Sequence, residues 1–586
     1  MESNLIYEKR QFVREDRWAY LVLFLAAFFL LFWGLGVRGL WASEGRWAEI
    51  TREMLTSGDF LHPTIGGEPY FDKPLLTYWF IGIIAVVSGV LNELVVRIPS
   101  AVAGMLSIWA TVRIGTRLWS AQIGRIAGWI LLTTYAFLFW SRTGTAETEN
   151  LAAIVLAVAW YWARRDRPNF VTFLVFYLIA FVGALTKGLT SVVVPVLIVM
   201  PDIIEEKRWR TFFKPVHFLA LTLALGVYLS PFIIASLTRP EDYQSSGLAL
   251  VFRENIQRFF KPFDHKGPFY LYFYELPVLL LPWAPLFLGA VVGMIKNWKE
   301  LDSNTRWLIK AIALVFLFFT LSGSRRSYYI LPIVPFCALL IAVFIIWIDQ
   351  PQVHGIRLFG MKVQRTIFFG LIIFELTLPL ILIIARRTMG FKVPYNFSVA
   401  SFIIGLIALI LGLAIYKSEN LLKFHIKTDR LATSLIAIIV VVLGGYFCWQ
   451  QNILEIHRTE RPFAKEMQIR SANLPPERIA FFPKSDSKTL FYLAKEKPVR
   501  ILGTSDELSS FLGDNQSGII ISQVRYITNL PSTILSDLQK CQTYKEQVRP
   551  WESESSKKEK LVAWLWGQQL EEESAMSAEG NINYAR

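Results

Sequence analysis

The 586-residue chain is 54% hydrophobic and 15% aromatic, with mean hydropathy +0.41. These values exclude an ordinary soluble enzyme and describe a polytopic membrane protein. A net charge of +14 would point to nucleic acid in a soluble chain, but here the basic residues gather at the ends of apolar runs. Membrane orientation accounts for them there, so no nucleic-acid partner is expected. Cys337, Cys448 and Cys541 have neither the spacing of a disulfide framework nor that of a zinc site, and no metal or cofactor is expected.

At the N-terminus, Lys9, Arg10, Arg14 and Arg17 precede an apolar run at residues 18–37. About 20 such residues cross a hydrocarbon core of about 30 Å, and no small-residue cleavage site follows, so the run reads as a signal anchor with a cytoplasmic N-terminus. Residues 41–78 then break the apolar pattern with acids, bases, glycine and proline. Charged groups are costly in hydrocarbon, so their concentration in one loop points to chemistry on a charged substrate at the membrane surface.

The short apolar run at 75–91 decides the topology. If it lies at the outer interface instead of spanning, Arg113, Arg117 and Arg125 fall inside, followed by the basic clusters at 164–167, 207–210, 296–299, 357–365 and 417–430. The positive-inside rule favours that reading. The expected spans are residues 18–37, 95–117, 121–141, 147–163, 169–186, 188–204, 215–236, 270–295, 306–322, 328–348, 365–385, 398–416 and 431–450, about thirteen in all. An odd number places the C-terminal region outside the membrane, on the side of the 38–74 loop.

That C-terminal region changes composition. Short β-type runs begin at 478, 499, 518 and 560 and alternate with helical patterns at 487–494, 505–512 and 528–540, the pattern of a small α/β layer domain. The expected organisation is a transmembrane domain over 1–454, a soluble extracytoplasmic α/β domain over 455–570, and a disordered tail over 571–586. No glycine-rich phosphate loop follows any of the predicted strands.

The expected outer surface collects the carboxylates Glu44, Asp72 and Glu147 and the cations Arg46, Lys73, Lys187, Arg253, Arg258, Arg325 and Arg326. Fixed cations beside lipid suit a phosphate or diphosphate whose hydrophobic tail stays in the membrane, and neighbouring carboxylates could serve as general base. Glu49, Arg52 and Glu53 are also explained by ion pairs along one interfacial helix. His62 and His265 are isolated, which argues against a metal site. A transporter would need charges along a membrane pathway, whereas only Glu375 and a few interfacial groups lie mid-span.

The run SEGRWAEITREMLTSGDFLHP (43–63) followed by PYFDKP (69–74) resembles the first outer loop of the lipid A 4-amino-4-deoxyarabinose transferase and protein O-mannosyltransferase group. These are integral-membrane GT-C glycosyltransferases that use polyprenyl-phosphate sugars. VRIPS (96–100), SRTGTAE (141–147), TKG (186–188), RENIQRF (253–259), LPW (281–283) and SRRSYYILPIVP (324–335) extend the resemblance along the chain. It implies a polytopic α-helical GT-C fold and inverting transfer of a hexosyl or pentosyl group to a lipid, protein or glycan on the outer face of a bacterial inner or plasma membrane. The partners implied are the polyprenyl-phosphate sugar donor, that acceptor and membrane lipids, around a protein expected to be a monomer. By position, Lys73 would bind the donor phosphate, with Arg325, Arg326 and Lys187 as further ligands and Arg46, Arg253 and Arg258 assisting. Tyr328 and Tyr329 would line the cavity. Glu147 stands where the group carries aspartate, Asp72 where glutamate is common, and Ser43 replaces the aspartate of an Asp-Glu pair, leaving Glu44 as its acid. A catalytically degenerate polyprenyl-phosphate-binding protein is the alternative that Ser43 raises.

Overall fold

The structure is a computed structural model that describes residues 2–239, 253, 257, 266–348, 354–389, 395–417, 429–455, 458–528, 530–549 and 552–567. The chain forms two compact units. One comprises 1–63, 69–388 and 392–456, and the other 64–68, 389–391 and 457–586.

The first unit is helical. Its leading elements are α1 (Glu2–Phe32), α2 (Glu44–Ser57), α3 (Leu76–Ser88), α4 (Glu93–Leu118), α5 (Ala121–Leu132), α6 (Tyr135–Ser141), α7 (Glu147–Arg164), α8 (Phe170–Ala184), α9 (Thr190–Glu205) and α10 (Pro215–Thr238). Among the described residues, six helices are long and apolar enough to cross a membrane, or nine if three bent pairs each count as one span. The run expected to span at 18–37 is helical only to Phe32. Its end is fastened from outside: Arg142 donates to the carbonyls of Leu30 and Trp33, Arg97 to that of Leu35, and Gln451 to that of Gly34. These bonds satisfy carbonyls that a helix terminus leaves open.

α3 has 13 residues and reaches about 20 Å at 1.5 Å per residue, short of a hydrocarbon core. The expected span at 270–295 is instead two helices, Leu271–Leu279 and Ala284–Lys296, bent by 118° around the Leu281–Pro282 segment. Proline denies the ladder a donor and breaks the helix there.

Every hydrophobic residue of Val334–Trp347 except Ile346 is buried, as befits a helix at the centre of a bundle. α10, by contrast, exposes Phe218, Leu219, Leu223, Ile233, Ile234 and Leu237. Such a face suits hydrocarbon, where helices satisfy all their backbone groups internally. α4 and α5 cross at glycines. A Cβ on Gly115 would lie 2.7 Å from Gly124 Cα, and one on Gly124 would lie 2.6 Å from Val112 O. Small residues at such crossings let backbones approach closely.

In the second unit, a five-stranded sheet is built after the short ribbon strands β1 (Thr64–Ile65) and β2 (Glu68–Pro69). Its members are β3 (Ile479–Phe482), β4 (Arg500–Ile501), β5 (Gly518–Gln523), β6 (Gln542–Lys545) and β7 (Leu561–Trp566), in the order β4-β3-β5-β7-β6. β3 runs parallel to β4 and β5, while β7 is antiparallel to β5 and β6. β3 is buried throughout and β5 along its first five residues, as expected for strands covered on both faces. Helix Ser505–Asp514 opens with a capping box between Thr504 and Glu507 and sends Leu508 and Phe511 into the core with Ile520 and Trp564.

Candidate functional site

The 43–74 loop is held to the bundle by Glu44. Its carboxylate forms a fork with Arg97, at 2.7 Å to Nε and 2.8 Å to Nη2. It also accepts the N–H groups of Trp41 and Gly144, each at 2.7 Å. Burial alone would raise its pKa, but Arg97, then Arg38 and the Gly144 N–H, hold it below the ordinary glutamate value. Glu44 is 0% exposed and both its oxygens are engaged, so it ties α2 to the start of α4 and to the loop before α7. Next along α2, Arg52 chelates Glu49 with bonds of 2.7 and 2.8 Å, the interfacial ion pair expected from the helical spacing.

Two clusters gather most of the remaining candidates. In the first, Asp72 stands among Arg46, Lys73 and Arg253, at 3.8, 3.6 and 3.8 Å. Tyr70 bridges it: Arg46 donates to the Tyr70 hydroxyl at 2.6 Å, and that hydroxyl donates to Asp72 at 3.3 Å. Burial would raise the Asp72 pKa, but Lys73, Arg46, the Tyr70 bond and Arg253 together lower it. Three cations grouped around the Asp72 carboxylate at a half-exposed surface are of the kind that binds a phosphate diester.

In the second cluster, Glu147 opens α7, where a carboxylate is favoured by the helix dipole, and pairs with Lys187 at 3.2 Å. The Lys187 ammonium lies 5.3 Å from the ring centres of both Tyr328 and Tyr329, within cation–π range. Tyr328 packs on Trp140 at 4.6 Å and accepts a hydrogen bond from Arg326. The TKG turn that carries Lys187 depends on Gly188 at φ 143°, a conformation open essentially to glycine. Asn150 fastens the turn through its amide, which donates to Gly183 and Gly188 and accepts from Thr190.

The clusters lie on chain segments pinned side by side, because the Leu76 N–H, just after Lys73 and Pro74, bonds the carbonyl of Leu185, just before Lys187. Arg325 joins neither: its guanidinium donates to the carbonyls of Thr320 and Gly267 and shapes its own turn. Arg258 lies outside the described residues. Sequence reasoning did not assign roles to Arg97, Arg142, Asn150, Tyr70 or Trp140. A polar residue within an apolar helical pattern, as at Asn150 and Arg97, was the available signal for two of them.

Residues 72–234 match the family described as dolichyl-phosphate-mannose-protein mannosyltransferase. The chain is 33% identical over 372 residues to the undecaprenyl phosphate-alpha-4-amino-4-deoxy-L-arabinose arabinosyl transferase of Aeromonas salmonicida (strain A449), covering 61% of this chain and 64% of that protein. It is 28% identical over 362 residues to the corresponding transferase 1 of Pseudomonas fluorescens (strain Pf0-1), covering 59% and 61%. It thus spans less than two thirds of the length of these curated relatives. Among solved structures, ArnT from Cupriavidus metallidurans bound to undecaprenyl phosphate superposes with a TM-score of 0.67 at 19% identity, over 93% of this chain and 98% of that one. The chain shares the fold of that structure, and the resemblance to the GT-C arabinose and mannose transferase group carried by its ordered motifs is borne out.

Proposed function

We propose that the protein is an integral-membrane glycosyltransferase that moves a sugar from a polyprenyl-phosphate carrier to an acceptor on the outer face of the membrane, the relatives' names supporting an undecaprenyl-phosphate sugar donor and the sequence resemblance implying lipid A as acceptor. The observation that carries this reading is the Asp72 carboxylate set among Arg46, Lys73 and Arg253, beside the Glu147–Lys187 pair. Lys73, Arg46 and Arg253 hold the donor phosphate and stabilise the charge that grows on it as the anomeric C–O bond breaks, a preorganised electrostatic effect. The acceptor oxygen forms the new bond from the opposite face, with inversion. If it is a hydroxyl, its proton passes to Glu147, kept ionised by Lys187; if it is a phosphate oxygen, no base is needed. Glu44 is assigned a positioning role, since its oxygens are already occupied. The reading includes about thirteen spans, a cytoplasmic N-terminus and an extracytoplasmic α/β domain after residue 455, in a monomer.

The test is transfer by purified protein from a radiolabelled polyprenyl-phosphate sugar to extracted envelope lipid, with Glu147→Gln compared. Label is expected in the lipid fraction. Retained donor binding with no transfer to lipid, protein or glycan would instead identify a carrier-binding protein without turnover.

A further inference from the structure

The basic clusters at 164–167 and 207–210 meet in the folded chain. Arg208 joins them across 43 residues of sequence, donating to the Arg165 carbonyl at 3.0 Å and to the Asp166 carboxylate at 2.9 Å. The turn between α9 and α10 therefore lies against the turn between α7 and α8. α7 has 18 residues, about 27 Å at 1.5 Å per residue, with Glu147 at one end and Arg164 at the other, so this junction is remote from the Glu147–Lys187 pair.

The α9–α10 turn is a 3₁₀ helix, Arg208–Phe213, with no buried residue. It is nevertheless pinned. Thr211 donates to the Arg208 carbonyl at 2.7 Å, and the Phe212 ring packs 5.6 Å from that of Phe173 and 5.1 Å from that of His217. Its other two aromatic side chains are left outside, Trp209 47% and Phe213 70% exposed. Exposed cations occupy both turns: Arg164 and Arg167 on the α7–α8 side, Lys207, Arg210 and Lys214 on the α9–α10 side. The Arg210 guanidinium lies 5.4 Å from the Trp209 ring centre and that of Arg164 5.3 Å from Trp160, within cation–π range. Three acids of this region are already engaged, Asp166 with Arg208, Asp202 with Arg165 and Glu205 with Lys310, and a fourth, Glu206, is exposed next to Lys207.

Cations interleaved with open aromatic rings at the ends of apolar helices match the headgroup layer of a bilayer, where phosphate lies above the first acyl carbons. We propose that this patch binds an anionic phospholipid, its headgroup meeting Arg164, Lys207 and Arg210 and its upper chain carbons lying on Trp209 and Phe213. Arginine's planar fork takes two phosphate oxygens at once. A zwitterionic headgroup gains less, because the same cations repel its own ammonium. The site stands whether or not the protein turns over a sugar donor.

The experiment adds phosphatidylglycerol or phosphatidylcholine, at equal concentration, to the full-length protein in nonionic detergent and measures retained lipid by native mass spectrometry. Phosphatidylglycerol is expected to be held about tenfold more tightly. Arg164→Gln, Lys207→Gln and Arg210→Gln together are expected to weaken it at least about tenfold, since each cation near a headgroup contributes several-fold. Lys362→Gln, Lys423→Gln and Lys427→Gln together remove as many charges from the basic clusters at 357–365 and 417–430 and are expected to leave it within about twofold. Because the first set removes three charges at once, Trp209→Ala with Phe213→Ala, which keeps every charge, is measured beside it with an expected loss of about threefold. Equal retention of the two lipids overturns the proposal, as does unchanged retention in either patch variant. An equal loss in the Lys362, Lys423 and Lys427 variant would show diffuse attraction to any basic edge, and displacement by equimolar inorganic phosphate would show a free-anion site. Either result also overturns it.

Discussion

Lys73 and Glu44 show how differently two charged residues of one loop can be used. Lys73, 26% exposed beside Asp72, is proposed to bind the donor phosphate. Lys73→Ala is expected to weaken donor binding about tenfold to a hundredfold, the range for one charge-assisted contact, with membrane insertion unchanged; equilibrium binding of labelled donor checks this. Glu44→Gln would leave Arg97 buried without its counter-charge, a loss of about 3–5 kcal/mol, read as a lower Tm in detergent. The pH dependence has a definite sign. Because the folded pKa of Glu44 is depressed, its contribution is fully present above the ordinary glutamate range and is lost as acidification passes down through the folded value. The native protein should therefore lose Tm on acidification more steeply than Glu44→Gln. The expectation that Glu44 is a base was reasonable from its place in a charged loop. Its occupation by Arg97 comes from a residue 53 positions away, which no local pattern reveals.

At the scale of elements, the site rests on two turns and one short helix. The TKG turn needs Gly188 at φ 143°, and Gly188→Ala is expected to cost about 1–3 kcal/mol in strain while moving Lys187 off Glu147. Donor binding or turnover should fall more than Tm does, which a paired measurement of both would show. The positive-inside rule put the apolar run at 75–91 at the outer interface, and the helix that forms there, α3, has 13 residues. The break at 281–282 was less legible: LPW was noted as a motif, but the hydropathy of 270–295 reads as one continuous span. The 118° bend comes from the backbone at the break, which hydropathy does not register. β6 has no apolar alternation, since its residues 542–545 are largely exposed, and only pairing with β7 makes it a strand.

For the whole molecule, the parity of the spans sets the side of the membrane on which the C-terminal unit lies. Cys541 lies in that unit and is partly exposed, whereas Cys337 is buried in the central helix. In right-side-out membrane vesicles, a membrane-impermeant maleimide is expected to label Cys541 without permeabilisation, with Cys541→Ser as the blank. Labelling only after permeabilisation would require an even number of spans. Membrane class, the charged loop at 41–78 and the family resemblance are all properties of composition and of ordered short motifs, so the linear chain determined them by itself. The folded chain alone decided which charges meet. The same kinds of residue became a buried clamp at Glu44–Arg97, a carboxylate among three cations at Asp72, an ion pair beside aromatic rings at Glu147–Lys187, and a helix-end cap lying on Phe447 at Arg142. The physical reason is that the role of a charge is set by the partners and solvent around it, and those partners come from segments tens to hundreds of residues apart.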